Sequence, residues 1–139
     1  MENNKIVVIA DAGLSFKITD WNSDRSLDQL QNAVGGWIEI VHMIKPPHGL
    51  TQLLAGDALR LVAVVDEEGK IKNKRYNLAG TFIVGYPDFL CGYPDFLCGP
   101  IVIMKRGVND DGEPDLLPLS DGEAEAVAQV LRGIGVREE

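Results

Sequence analysis

Cysteine is nearly absent from this 139-residue chain. The two present, Cys91 and Cys98, stand seven positions apart, which is not the spacing of a Cys-x-x-Cys redox or zinc pair, and both are expected to be free thiols in a reducing compartment. Histidine is as scarce. His42 and His48 flank Pro46-Pro47 without metal-ligand spacing and without a nearby glutamate of the metalloprotease kind. Basic residues are in deficit, 13 against 21 acidic, giving a net charge of -8 and a pI near 4.7. That balance excludes a general nucleic-acid binder, whose affinity comes largely from Lys and Arg against phosphates. No run approaches the ~20 apolar residues that cross a bilayer. The start, Met1-Glu2-Asn3-Asn4-Lys5, lacks the basic end and long apolar stretch of a secretory signal, so a cytoplasmic location, in a host cell, is expected. Phosphate-binding glycine loops and the nucleophile elbow are missing as well. The acidic run 109–115 lacks the spacing of a calcium loop.

What is present describes an ordinary domain. With 45% hydrophobic and 24% charged residues, the chain is long enough to bury roughly two-thirds of its unfolded surface around one core. Residues 5–10 and 16–20 form β-rich runs separated by Asp11-Ala12-Gly13, which predicts a hairpin. Ser26 with Gln29 suggests a capping box for a helix over 27–34, closed by Gly35-Gly36. Residues 37–43 read as a two-faced strand, 50–55 as a helical turn, 58–66 as the clearest strand of the chain, and 70–75 as an exposed edge or extended segment. Asn77 can cap a short helix over 78–84, with a strand as the rival reading. A strand follows over 101–105. Residues 107–118 read as a mobile acidic connection, and Ser120 with Glu123 caps a final amphipathic helix ended by Gly133 and Gly135. The fold class is α+β, a single domain with a mainly antiparallel sheet and two or three helices packed on it. Its parts are a core over 1–106, the connection over 107–119, and a helix over 120–135 that packs on the core or on a neighbouring subunit.

One phrase is written twice: Gly-Tyr-Pro-Asp-Phe-Leu-Cys occupies 85–91 and again 92–98. An odd period would send equivalent side chains to opposite faces of a strand, and Pro87 and Pro94 would interrupt its ladder. The repeat is therefore two proline turns. It is either a tolerated slip, since lengthening a loop costs only about 0.6 kcal/mol per doubling, or an aromatic flap of Tyr86, Phe89, Tyr93 and Phe96.

The segments Ser26–Val41, Val64–Asn73, Asn77–Val84 and Gly99–Met104 stand together in an order that resembles domain-of-unknown-function family 3846, small proteins largely of bacteriophages and mobile elements. The likeness covers roughly residues 5–105, and its most specific element is Leu30–Glu39. It implies an α+β fold and a phage origin, and it implies no enzymatic activity. The longer Gly85–Cys98 stretch and everything after Gly107 depart from the family pattern.

The residues with chemical potential cluster in two places. Lys70, Lys72, Lys74 and Arg75 gather four of the 13 basic residues just before the helix that Asn77 caps, where backbone N–H groups and cations would form an anion pocket. Thr81 lies in that helix, and Tyr76 could stack on a base. The competing reading is an edge whose lysines discourage aggregation. Trp37 and Glu39 share one strand face and would stack on a ring and accept from ribose, or else form the rim of a subunit contact. The expected ligand-binding set is Trp37, Glu39, Lys72, Lys74, Arg75, Tyr76, Asn77 and Thr81, with no catalytic residue, metal or cofactor. The expected function is non-enzymatic sequestration of a nucleotide-derived immune signal by a homo-oligomer, an anti-defence sponge, with a small nucleotide as partner. The alternative is an acidic inhibitor or adaptor acting on a host protein.

Overall fold

The apolar runs all enter one sheet, and their burial explains why some alternate and some do not. A computed structural model describes residues 3–43, 46–54, 57–69, 72–85, 97–108 and 110–139. In chain order the elements are β1 (Asn3–Ile9), β2 (Ser15–Asp20), α1 (Ser26–Val34), β3 (Ile38–His42), α2 (His48–Leu53), β4 (Leu61–Asp66), α3 (Leu78–Val84), β5 (Ile101–Val108), β6 (Pro114–Leu117), β7 (Leu119–Ser120), α4 (Asp121–Gly133) and β8 (Arg137–Glu138). The strands line up as β3-β4-β5-β1-β2-β8, with β6 added to β5 and β7 to β1. Among the described residues every strand pairing is antiparallel except β2 with β8. The architecture is α+β.

β4 is buried at all six positions because helices cover both faces of the sheet there. Ala63 and Val65, with Val7, Ile9, Ile101 and Ile103, join the cluster that α2, α3 and α4 cover. Val62 and Val64, with Ile6, Val102 and Met104, face Leu30 and Val34 of α1. Strand residues two apart share a face, so each strand divides its side chains between the two cores. Under α4, the buried Lys105 donates to Glu123 at 2.8 Å, and Glu123 also accepts from the Ser120 backbone N–H in a complete capping box. Burial raises the Glu123 pKa, but those hydrogen bonds outweigh it and hold it below the ordinary value.

Several sequence expectations need correction. The Ser26–Gln29 box does not form: Gln29 accepts from Asn22 N and donates to Asp20 O, tying α1 to the end of β2, and Asn22 caps a 3-10 turn at Ser23–Arg25. Residues 57–60 are a 3-10 turn ahead of β4. The supposed mobile connection after Gly107 is largely a hairpin, because β5 extends to Val108 and pairs with β6. The short helix over 78–84 forms despite its β-branched content. Asn77 caps it, and Gly80 lets it sit on the sheet: a Cβ there would lie 2.1 Å from Ile101 Cδ1. Among the described residues there are four α-helices, one of them the short α2. The tandem phrase, with Cys91 and the four aromatic residues of the flap reading, lies outside the described residues except at its ends. Cys98 is buried.

Both ends bond Thr81. Gly85 N donates to Thr81 O at 3.1 Å, and Leu97 N donates to Thr81 Oγ1 at 3.0 Å. Four residues span up to about 14 Å, enough to join two points that both bond one threonine. Removal of residues 86–92 is therefore expected to leave a cooperatively folding protein whose melting temperature in differential scanning calorimetry shifts by only a few degrees. Loss of the folding transition would contradict the tolerated-slip reading.

Candidate functional site

Lys72 and Lys74 converge, but on a carboxylate of their own chain. Asp66 ends β4 with its side chain fully buried, and it accepts from Lys74 Nζ at 2.6 Å, Lys72 Nζ at 2.9 Å and Glu68 N at 2.9 Å. The same ammonium groups reach the end of α1, Lys74 donating to Val34 O at 2.5 Å and Lys72 to Gly35 O at 3.4 Å. A helix end leaves carbonyls without partners and carries partial negative charge, so cations there are stabilising. Gly35 and Gly36 permit this approach. Gly35 takes the left-handed conformation at φ 84°, and a Cβ on Gly36 would stand 2.6 Å from Lys72 Nζ and 2.7 Å from the Asp66 carboxylate. The Val34-Gly35-Gly36 break is thus a packing joint. Burial raises the Asp66 pKa, yet the bonds from Lys74, the Glu68 backbone and Lys72 outweigh it and bring it from 3.8 down to about 2.

The other expected ligand residues separate into two groups. Asn77 and Thr81 are buried and bonded inward. Asn77 Oδ1 accepts from Gly80 N, while its Nδ2 donates to Ala10 O at 3.1 Å and Gly99 O at 3.0 Å. Thr81 Oγ1 donates to Asn77 O at 2.7 Å. Trp37 and Tyr76 are 63% and 62% exposed. Glu39 is exposed on the edge strand β3, and Arg75 is exposed with its carbonyl accepting from Gly99 N. None of the eight lines the groove that the sheet itself forms.

That groove, about 1060 Å³, lies beyond α1 across β3, β4, β5 and β6. Its apolar walls include Ile40, Val62 and Leu116, and its polar groups come from His42, Arg60, Arg106 and Asp115. The sheet register brings the cations together. Leu61 pairs with Lys105, so Arg60, just before β4, and Arg106, next along β5, stand at the same end of adjacent strands. Arg60 Nη2 lies 4.0 Å from where a Cβ on Gly107 would sit, so its side chain reaches across to β5. His42 enters beside Val62, its cross-strand partner. Both arginines are exposed, and among the described residues neither has a carboxylate partner. Asp115 accepts from Leu116 N at 2.8 Å and stands where the groove meets a recess at the start of α1. Two guanidiniums lining one groove with an apolar floor have the chemistry to hold an anion with an apolar or planar body.

The family model described as Domain of unknown function (DUF3846) matches residues 4–131. The chain belongs to that family. The match runs through β6, β7 and nearly all of α4, so the segments after Gly107 are part of the DUF3846 region and not an addition to it. No curated protein and no solved structure matches the chain. Among the described residues no helix is long and apolar enough to cross a membrane, and no three His, Cys, Asp or Glu side chains gather as metal ligands.

Asp66 links protonation to stability with a definite sign. Its folded pKa is depressed, so its contribution is present above about pH 4 and is lost as pH falls through about 2. The depression corresponds to roughly 2 kcal/mol. In urea unfolding, the stability gap between the native chain and Asp66→Asn at pH 7 is expected to narrow by that amount by pH 2. A gap independent of pH would show that the carboxylate is not held ionised.

Proposed function

We propose that this DUF3846 protein is a non-enzymatic binding protein that captures a small nucleotide-class anion in the groove between β3 and β6. The observation that carries the reading is that Arg60 and Arg106 line one groove and, among the described residues, neither has a carboxylate partner, in a chain whose net charge is -8. Leaving two cations adjacent is unfavourable unless an anion joins them. A guanidinium neither gives nor takes a proton near neutrality, so the pair suits holding a ligand rather than transforming it. The physiological role follows the one expected from sequence: removal of a nucleotide-derived immune signal from a host cytoplasm by a phage-borne protein. The capture site, however, is moved from the lysine turn to the arginine groove, because Lys72 and Lys74 are engaged by Asp66.

The adaptor alternative is favoured by a different observation. Among the described residues β3 is the outermost strand on its side of the sheet, with exposed Ile40 on it and exposed Trp37 just before it, so a strand of a host protein could extend the sheet there. The homo-oligomer expectation would use the same edge.

One experiment separates these readings. The purified protein is incubated with a panel of cyclic and linear nucleotides and removed by filtration, and the filtrate is assayed before and after heat release. Depletion followed by intact recovery is expected. Arg60→Glu with Arg106→Glu should abolish capture while moving the melting temperature by only a few degrees, since both side chains are exposed. Undiminished capture by that variant would defeat the groove. An altered product would mean catalysis, and absence of depletion would favour the β3 adaptor.

A further inference from the structure

The chemistry of the groove specifies more than an anion, and this step rests on the capture reading just given. A guanidinium offers donors in a planar fork that pairs with two acceptor oxygens at once. Arg60 closes the 3-10 turn before β4 and Arg106 lies on β5, so two separate forks are presented, and two bidentate contacts call for about four acceptor oxygens. A nucleoside monophosphate has only three terminal oxygens, whereas a diphosphate supplies five across two phosphorus centres. The charges agree with this count. The net field of -8 repels an incoming anion, so each phosphate needs a local cation, and the groove provides two. At about 1060 Å³ it is far larger than a free phosphate or pyrophosphate requires and stands at the upper end of small-ligand pockets. The unfilled part is apolar at Ile40, Val62 and Leu116. Asp115, set off from β5 on β6, is an acceptor suited to ribose hydroxyls and unsuited to phosphate.

We propose that the groove recognises a nucleoside diphosphate, the diphosphate bridging Arg60 and Arg106 and the nucleoside lying over the apolar floor toward Asp115. The test measures dissociation constants, by equilibrium dialysis of the full chain, for the common ribonucleosides, their 5′-monophosphates, their 5′-diphosphates and inorganic pyrophosphate. For the preferred base, the diphosphate is expected to bind at least tenfold tighter than the monophosphate and tighter than pyrophosphate alone. Arg60→Gln and Arg106→Gln should each bring the diphosphate-to-monophosphate ratio close to one. Arg75→Gln, which removes an exposed cation outside the groove, should leave the ratio unchanged and so serves as the control for net charge. Equal binding of mono- and diphosphates by the native chain would overturn the diphosphate assignment while leaving anion capture standing. Loss of the ratio in Arg75→Gln would overturn its placement at the arginine pair. Absence of binding by every nucleotide would remove the capture reading together with this inference.

Discussion

A single buried carboxylate at the end of β4 sets the arrangement of this half of the molecule. Asp66 gathers Lys72 and Lys74, and through them the last carbonyls of α1. The same turn is held against the chain entering β5, where Gly99 N donates to Arg75 O and a Cβ on Gly99 would meet Lys74 Cδ at 2.7 Å. Helix, turn and strand entrance therefore share one electrostatic node. Removing one partner of such a node leaves an uncompensated charge in a poorly hydrated place, which is far more damaging than losing a surface ion pair. Three glycines at the node suit their places: Gly35 and Gly99 take left-handed backbone at φ 84° and 82°, and a Cβ on Gly36 would stand 2.7 Å from the buried Asp66 carboxylate.

Charge is thereby sorted along β4. At one end two lysines share one carboxylate and the last carbonyls of α1, and at the other Arg60, just before β4, and Arg106, on β5, line one groove. α1 covers the sheet between these ends and stops short of the arginines, so the uncovered remainder becomes a groove with an apolar floor. An acidic protein can in this way present a locally cationic recess, and the reach of its unfavourable overall field is limited to about 8 Å at physiological ionic strength.

Much of the fold was legible in the sequence, because it is written in short-range patterns. The apolar run of β4, the capping box of α4 and the Gly35-Gly36 stop of α1 each depend on neighbours within a few positions. Features that depend on pairing partners were not legible. The acidic, turn-rich stretch 110–117 hides β6, whose place is decided by the free end of β5. Likewise Ser26 and Gln29 have the right spacing for a box, but the 3-10 turn that Asn22 caps competes for the same backbone groups. The cluster Lys72, Lys74 and Arg75 was visible as charge density, yet its engagement with Asp66 depends on a turn that folds back on β4. Arg60 and Arg106 are 46 positions apart, and only the register Leu61–Lys105 brings them together.

The central claim is that the lysine turn is closed on Asp66 and so is not open to a ligand. Carbon-detected NMR of the Asp66 carboxyl during an acid titration tests it most directly. The account predicts that this carbon stays in its ionised position until pH approaches about 2. Titration near the ordinary value of about 4 would show that the lysines do not hold the carboxylate, and that they are free to meet an anion from outside.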